Sequence, residues 1–257
     1  MFRYRKIGFI TCLDIWYDKE LFCSSKEYIK CLHENRVLDK KQYNFKLVEK
    51  TFLLDISRNI DEIFGGFSYK SCKYAINKAK RDGINVWKAE TYNDKNVYKK
   101  FQNNFCVEKG FVELCDDELE QLDVFCAETH EHLFLGGCAF VTSKDNKTVR
   151  YKHGATLHKY NANEAIIWEA IQYYHSRGFI YFDFGGVVLT DDKQSYYYHH
   201  YKFKEKFGGE LIDSYTYFVL KGGWKIFYCI FNVFLKYFWK KDFNSFVNWL
   251  NQHHLIR

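Results

Sequence analysis

Two titratable side chains stand in apolar surroundings where acid–base chemistry is reasonable. Asp183 alternates with Phe182 and Phe184, so its buried carboxylate needs a partner. It either orients an amine and accepts its proton, or it caps a loop or pairs with a lysine as a structural group. His153 is predicted to share a strand face with Tyr151. Since imidazole titrates near neutral pH, His153 is a candidate general base, with a hydrogen-bonded core histidine as the alternative.

A second group of polar side chains precedes the C-terminal part of the chain. Aromatic and imidazole groups crowd the predicted loop before the last core helix: Tyr196, Tyr197, Tyr198, His199 and His200. Tyr198 is a candidate proton donor to a leaving group, or a surface on which a sugar or a base stacks. Lys204 supplies a cation for a phosphate or a developing negative charge. The alternative is that Lys204 is one of three solvated lysines in a short run.

Metal chemistry has little support in the sequence. Glu128, His130, Glu131 and His132 have a metal-like order, but strand alternation places the two histidines on one face and no further ligand completes a set. This segment is interpreted as a polar strand edge. The nine Cys include no Cys-x-x-Cys pair, which favours reduced thiols in the cytosol. No metal is expected.

The elements that position these side chains are clearest in the middle of the chain. Strands are predicted at 133–142 and 148–157, joined by a hairpin turn. Asn161 and Glu164 resemble a capping box that opens a helix, which ends at Gly178. A strand at 179–184 follows, and it should run parallel to the strand before the helix.

The elements upstream are predicted from periodicity. Strands are expected at 43–56 and 84–89, and helices at 69–82, 94–106 and 116–126. In the helix at 94–106, Val97, Phe101 and Phe105 form the apolar stripe. Residues 1–44 give no clear pattern. The order of elements indicates a mixed α+β architecture.

Two stretches resemble the C-terminal signature of the FemAB-like group within the GNAT (N-acetyltransferase-like) superfamily. They are GFIYFDFGGV and YYHHYKFKEKFGGELI. The basic segment AINKAKRDGINV is similar to one that these proteins carry upstream. The matched positions are Asp183, Gly185, Gly186, Phe203, Lys204, Phe207, Gly208 and Gly209.

This resemblance implies the α+β GNAT fold, a central mixed sheet flanked by helices. It also implies that strands 148–157 and 179–184 splay apart to admit an acyl donor, where a backbone N–H meets the developing oxyanion. The resemblance places Lys204 near the reacting carbonyl, and a tyrosine such as Tyr198 as the acid for a departing thiolate. The residues expected to bind donor or substrate are Phe203, Lys159, Asn161, Gly185, Gly186 and Tyr197.

The sequence departs from the family pattern in two ways. FemAB-type enzymes carry two tandem domains, whereas this chain divides into a partial N-terminal subdomain (1–90), a core domain (91–222) and C-terminal amphipathic helices (223–257). The glycine-containing loop that holds the coenzyme A pyrophosphate is replaced by His-Lys-Tyr-Asn-Ala-Asn at 158–163. Lys159 and the helix amides there remain available for phosphate. Acyl-CoA is the expected donor, with aminoacyl-tRNA as the alternative.

Charge and hydropathy limit the compartment and the partners. The formal charge of +6 suits an anionic partner, and no apolar run is long enough to span a bilayer. The N-terminus is a poor signal peptide. A cytoplasmic protein is expected, with peripheral contact at the inner face of the membrane through the aromatic and lysine-rich segment 224–241 as one option. Packing against the core or against a second subunit in a homodimer is the other.

Three functions follow from this reading. The first is N-acylation of an amine in cell-surface polysaccharide synthesis, with an amino-sugar nucleotide or a lipid-linked precursor as the acceptor. The second is aminoacyl transfer from tRNA to a peptidoglycan precursor, which calls for a larger basic surface. The third is a glycan- or membrane-binding protein without catalysis.

Overall fold

The structure is a computed structural model that describes residues 1–7, 10–24 and 29–239. The strands in these ranges are β1 (Phe2–Ile7), β2 (Ile10–Trp16), β3 (Ile29–Glu34), β4 (Phe45–Asp55), β5 (Asn85–Ala89), β6 (Asp123–Glu128), β7 (Phe134–Thr142), β8 (Thr148–Thr156), β9 (Tyr181–Val187) and β10 (Glu210–Leu220). The α-helices are α1 (Lys19–Ser24), α2 (Ile60–Gly66), α3 (Tyr74–Arg81), α4 (Tyr92–Lys109), α5 (Asp116–Glu120), α6 (Ala162–Ser176), α7 (Tyr196–Glu205) and α8 (Gly223–Trp239).

The chain forms two compact units. The first unit contains residues 1–51, 186–190 and 212–257, and the second contains residues 52–185 and 191–211. The sequence-predicted boundary between residues 90 and 91 therefore falls inside the second unit. Of the predicted C-terminal helices, α8 is described, whereas residues 240–257 lie outside the described part of the chain.

The second unit is a mixed sheet with helices on both faces. Its strand order is β9-β8-β7-β6-β5, antiparallel from β5 to β8 and parallel between β8 and β9. A Cβ on Gly137 would lie 2.7 Å from the Tyr98 ring on α4, whereas its neighbour Cys138 donates to Asn163 on α6. Since consecutive strand residues point to opposite faces, α4 and α6 cover the two sides.

The first unit has the strand order β1-β2-β3-β10-β4. Strands β2 and β3 are parallel, and the pairs β1–β2 and β3–β10 are antiparallel. The hydroxyl of Tyr217, a fully buried side chain, accepts from Leu38 N and donates to Arg36 O, each at 3.1 Å. The buried core around it comprises Leu13, Ile15, Phe22, Leu32 and Leu38.

Most of the predicted elements are confirmed. The hairpin, its following helix and the parallel strand correspond to β7, β8, α6 and β9. The predicted helix at 69–82 is a π turn, Tyr69–Lys73, continued by α3, and Gly83 follows it with φ +70°. The α+β class and the mixed sheet flanked by helices are therefore confirmed.

Two predicted helices differ from the structure. The acidic helix at 116–126 was predicted too long, because α5 ends at Glu120 and the next residues form β6. In α4 the buried residues are Tyr98, Gln102 and Cys106, one position beyond the predicted stripe, and Val97 is exposed. The Tyr98 hydroxyl donates to the Gln102 amide oxygen, so a polar residue is accommodated on the buried face.

Two local predictions at turns were also wrong. Asn161 adopts the left-handed conformation and makes no side-chain cap, while Glu164 forms an ion pair with Lys206 instead of closing a capping box. His130 and Glu131 form a turn between β6 and β7 instead of a strand edge. Within the described residues, no helix is long and apolar enough to cross a membrane.

Candidate functional site

The two strands predicted to splay pair only at their beginning. The parallel ladder joins Thr148 to Tyr181 and ends where Arg150 faces Asp183, although β8 continues to Thr156 and β9 to Val187. In the described part of the chain the regular pairing thus ends at this pair, and the stretch of β8 and β9 beyond it is called the gap. The gap lies where the sequence predicted the donor to enter.

A β-bulge shapes the β8 side of the gap. Phe140 on β7 faces Tyr151, but the preceding residue Ala139 faces His153, so Lys152 is the extra residue. A bulge shifts the alternation of side chains by one. His153 therefore does not share the face of Tyr151, which corrects the sequence prediction. Consistent with this, the Tyr151 hydroxyl lies 2.0 Å from where a Cβ on Gly154 would be.

A buried polar network occupies the point where the ladder ends. Asp183 is fully buried, and one carboxylate oxygen accepts from Arg150 Nη1 at 3.2 Å. The other oxygen accepts from the backbone N of Gly185 at 2.7 Å. Lys204, 3% exposed, donates to the Gly185 carbonyl at 3.1 Å. The structure thus brings three sequence-predicted residues, Asp183, Gly185 and Lys204, into one cluster, with Arg150 as a fourth member.

Gly185 links Asp183 to Lys204 through its backbone N–H and carbonyl groups. Its φ is +74°, which disfavours residues with a Cβ. An added Cβ would lie 2.9 Å from the Tyr151 carbonyl and 3.6 Å from Lys204 Nζ. The conformation lets the Gly185 N–H and carbonyl contact Asp183 and Lys204 respectively. Gly186 belongs to the first unit, where a Cβ would approach the Glu49 carboxylate at 3.6 Å.

His153 is coupled to a buried carboxylate that the sequence did not indicate. The Glu118 side chain is fully buried, and one of its oxygens lies 3.2 Å from His153 Nε2 and 3.0 Å from Lys152 Nζ. The bulge explains how consecutive side chains of β8 reach the same atom. The sequence predicts only that Glu118 belongs to a helix at 116–126, and no pattern in it indicates a contact with β8.

The opposite face of β8 carries a second hydrogen-bonded group. Burial raises the pKa of Tyr151 well above its ordinary value, and the thiol of Cys138 acts in the same direction. The Cys138 thiol donates to Asn163 Oδ1 at 3.0 Å, and burial raises the pKa of Cys138. Both groups are therefore protonated at neutral pH.

Helix α7 presents a different face from the one predicted. Ser195 caps its N-terminus by accepting from Tyr197 N, so Tyr196 begins a helix where a loop was expected. At about 100° per residue, Tyr196, His200 and Lys204 share one side and Tyr198 lies on another. Tyr198 instead packs edge to face on the exposed His199.

The lowered pKa of His200 agrees with its place on the same side of α7 as Lys204. Burial, and then the charge of Lys204, lowers the pKa of His200 from 6.5 to about 3. Tyr196 stacks on His200 with 5.7 Å between ring centroids. In the sequence, Tyr196, His200 and Lys204 are four residues apart, and Ser195 is a typical helix cap. Together these two features would have predicted that Tyr196 and His200 share a helix face with Lys204.

The remaining predicted binding residues surround the start of α6. Lys159 is exposed, and its ammonium lies 5.5 Å from the Tyr160 ring. Asn161 has φ +54° and ends the 3-10 turn His158–Tyr160. Phe203 is half-buried, and the ammonium of Lys206 lies 4.3 Å from the centroid of its ring. Lys206 in turn pairs with Glu164 in the first turn of α6.

Thiol groups in the first unit form a further polar cluster. Cys12 and Cys31 lie on neighbouring strands with their sulfurs 3.4 Å apart, and the Cys12 thiol donates to Asp14 at 3.7 Å. All three are buried. Six of the nine cysteines are buried.

Solved structures share this fold. FemX superimposes with a TM-score of 0.62 at 14% identity, over 84% of this chain and 83% of that chain. The C-terminal domain of a putative lysylphosphatidylglycerol synthetase from Agrobacterium fabrum gives 0.58 at 10% identity, over 91% and 85%. L-PGS from Bacillus licheniformis gives 0.58 at 11%, over 88% and 82%.

No protein family and no curated protein matches the sequence. The chain therefore shares the fold of the FemX and lysylphosphatidylglycerol synthetase structures. At these identities the likeness concerns the fold, so the reaction has to be argued from the site itself.

Proposed function

We propose that this protein is an acyltransferase that transfers an acyl group to an amine bound in the gap between β8 and β9. The observation that carries the proposal is the buried Arg150–Asp183–Gly185–Lys204 network at the point where the parallel pairing ends. Buried charges are costly unless they are paired, and they concentrate at sites where charge develops during a reaction.

The direct reaction needs no side-chain nucleophile. The acceptor nitrogen attacks the carbonyl carbon of the donor, and the carbonyl oxygen becomes negatively charged in the tetrahedral intermediate. The Lys204 ammonium and backbone N–H groups of the gap stabilise that oxygen. The leaving group departs with the bonding electron pair, and the nitrogen loses a proton.

We propose that His153, supported by Glu118, accepts that proton. The imidazole lies 3.2 Å from the buried carboxylate, which orients the ring and stabilises its protonated form. Its side chain is 28% exposed, so it can also pass the proton to solvent. Asp183 holds Arg150 and the Gly185 N–H and positions the network.

The acceptor we propose is an amino sugar, carried by a nucleotide or by a lipid-linked precursor of the cell surface. Acyl-CoA is the first donor to consider. The start of α6 supplies backbone amides and Lys159, but the acidic Glu164, which pairs with Lys206, lies in its first turn and the family's glycines are absent. The site therefore fits a phosphate-bearing donor only in part.

Aminoacyl-tRNA is the second candidate donor because of a basic cavity beside α3. The cavity has a volume of about 330 Å³ and is lined by three cationic and two tyrosine side chains, with one asparagine: Lys70, Lys73, Arg81, Tyr69, Tyr74 and Asn77. Cations that track phosphates and aromatic rings that stack on bases are the common means of binding single-stranded nucleic acid.

A donor screen tests the proposal. The purified protein is incubated with acetyl-CoA, longer acyl-CoAs or aminoacyl-tRNA, each with amino-sugar nucleotides, and products are identified by mass spectrometry. Acylated amino sugar with an acyl-CoA supports the first donor, and product only with aminoacyl-tRNA supports the second. If the folded protein binds glycan but transfers no group from any donor, a binding protein without catalysis replaces the proposal.

A further inference from the structure

Helix α8 exposes an apolar face that neither the sheet nor the proposed reaction uses. Its large apolar residues are 49–67% exposed, which is unusual for so many on one helix. They are Ile226, Phe227, Ile230, Val233 and Phe234. At about 100° per residue these five side chains fall within an arc of roughly 120°.

The opposite side of α8 is attached to the first unit. Tyr228 donates to the Asn44 carbonyl at 2.9 Å and stacks on Phe45 with 5.8 Å between the ring centroids. Leu235, two turns further along, is 2% exposed. Tyr228 and Leu235 point about 180° away from Ile226, so the exposed arc faces outward.

Charge distinguishes among the partners that such a face could contact. Between Asp213 and Asp242 the sequence has five Lys and no acidic residue: Lys221, Lys225, Lys236, Lys240 and Lys241. On the helix, Lys225 lies beside the apolar arc, about 100° from Ile226. An apolar face flanked by lysines and rich in Phe and Trp matches a bilayer surface with anionic headgroups.

We propose that α8 is an interfacial helix that docks the protein on an anionic lipid surface, with the apolar arc inserted among the acyl chains. The helix lies on the membrane and does not cross it, because no described helix is long and apolar enough to span one. The inference is independent of the transferase reaction.

Co-sedimentation of the full-length protein with vesicles tests this proposal. The vesicles contain phosphatidylcholine alone or phosphatidylcholine with phosphatidylglycerol. The wild type should bind the phosphatidylglycerol vesicles, more weakly at high salt. The triple variant I226N/I230N/V233N should lower the partition coefficient at least tenfold, and K225E should weaken binding only to the anionic vesicles. A matched control, V37N/V112N, changes valines that are 71% and 69% exposed elsewhere and should leave binding within twofold.

Other outcomes would overturn the proposal. Wild-type protein that binds neither vesicle excludes a lipid surface. If the triple variant then turns a dimer into a monomer by light scattering, the face belongs to a second copy of the chain. If it instead lowers the melting temperature, the chain itself covers the face. Vesicle binding that the triple variant leaves unchanged would show that α8 is not the docking element.

Discussion

The ammonium group of Lys204 on α7 lies 3.1 Å from the carbonyl oxygen of Gly185 on β9, 19 residues earlier in the chain. This contact joins α7 to the strand that borders the gap. It places a buried cation beside the point where the β8–β9 pairing ends, and it brings two short motifs that are distant in sequence into contact.

Replacing Lys204 tests whether that cation is catalytic. Lys204→Met removes the charge but keeps an unbranched chain, so we expect turnover to fall by about 10²–10³-fold, as when an oxyanion-stabilising donor is lost. The melting temperature should fall little, because burying methionine is less costly than burying an ammonium. Lys202→Met is the matched control, since Lys202 lies on the same helix and pairs with Glu205 at the surface. Equal losses in both variants would remove Lys204 from the mechanism.

Arg150 and Asp183 should behave as a coupled buried pair. Asp183→Asn or Arg150→Met leaves one charge buried without its partner, so each should lower the free energy of unfolding by about 3–5 kcal/mol. The double variant should lose less than the sum of the two. Urea denaturation of the four proteins gives the coupling energy. Additive losses would mean that the 3.2 Å contact contributes nothing to stability.

Comparing Gly185→Ala with Gly178→Ala separates the cost of a left-handed backbone conformation from the cost of a steric clash. Gly185 and Gly178 both have positive φ, +74° and +78°, but an alanine at 178 would contact nothing within 4 Å. Gly178→Ala should therefore cost about 1–2 kcal/mol for the left-handed conformation alone. Gly185→Ala should cost more, because its Cβ would meet the Tyr151 carbonyl at 2.9 Å. Equal losses of unfolding free energy would argue against that close approach.

Tyr151→Phe should restore part of the stability that Gly154→Ala removes. Gly154→Ala places a methyl group 2.0 Å from the Tyr151 hydroxyl, which must move. Overpacking of this kind costs about 1–3 kcal/mol. Tyr151→Phe removes the hydroxyl, so the double variant should regain part of the stability lost in Gly154→Ala. Denaturation curves of the single and double variants measure this. An absence of rescue would contradict the bulged register of β8.

His200 should make the stability depend on acidity. Its pKa is lowered to about 3 in the folded protein, whereas an unfolded histidine titrates near 6.5. Between these values the unfolded chain binds a proton that the folded chain does not, so stability is lost as pH falls from about 6.5 to 3. One such group contributes a slope of up to about 1.4 kcal/mol per pH unit. His200→Gln should remove that contribution from urea denaturation measured across this range, while the same change at the exposed His199 should not.

Much of the second unit was predictable because its sequence follows simple periodicities. The β7–β8 hairpin alternates as a strand pair does, and α6 has an apolar helical period that ends at Gly178. The first unit was not predictable in this way. Residues 12–15 of β2 are all buried, so apolar alternation is absent and a polar Asp14 sits within the core.

The sequence by itself determined the α+β class and the parallel β8–α6–β9 crossover, and it singled out Asp183, Gly185 and Lys204 as candidate site residues. Those follow from local patterns and from short motifs. Only the tertiary structure decided that His153 turns away from Tyr151 toward Glu118, because a bulge depends on how two strands pair. Only the structure joined Arg150 to Asp183. Such contacts depend on which strands and helices lie side by side, and that relationship has no local signature.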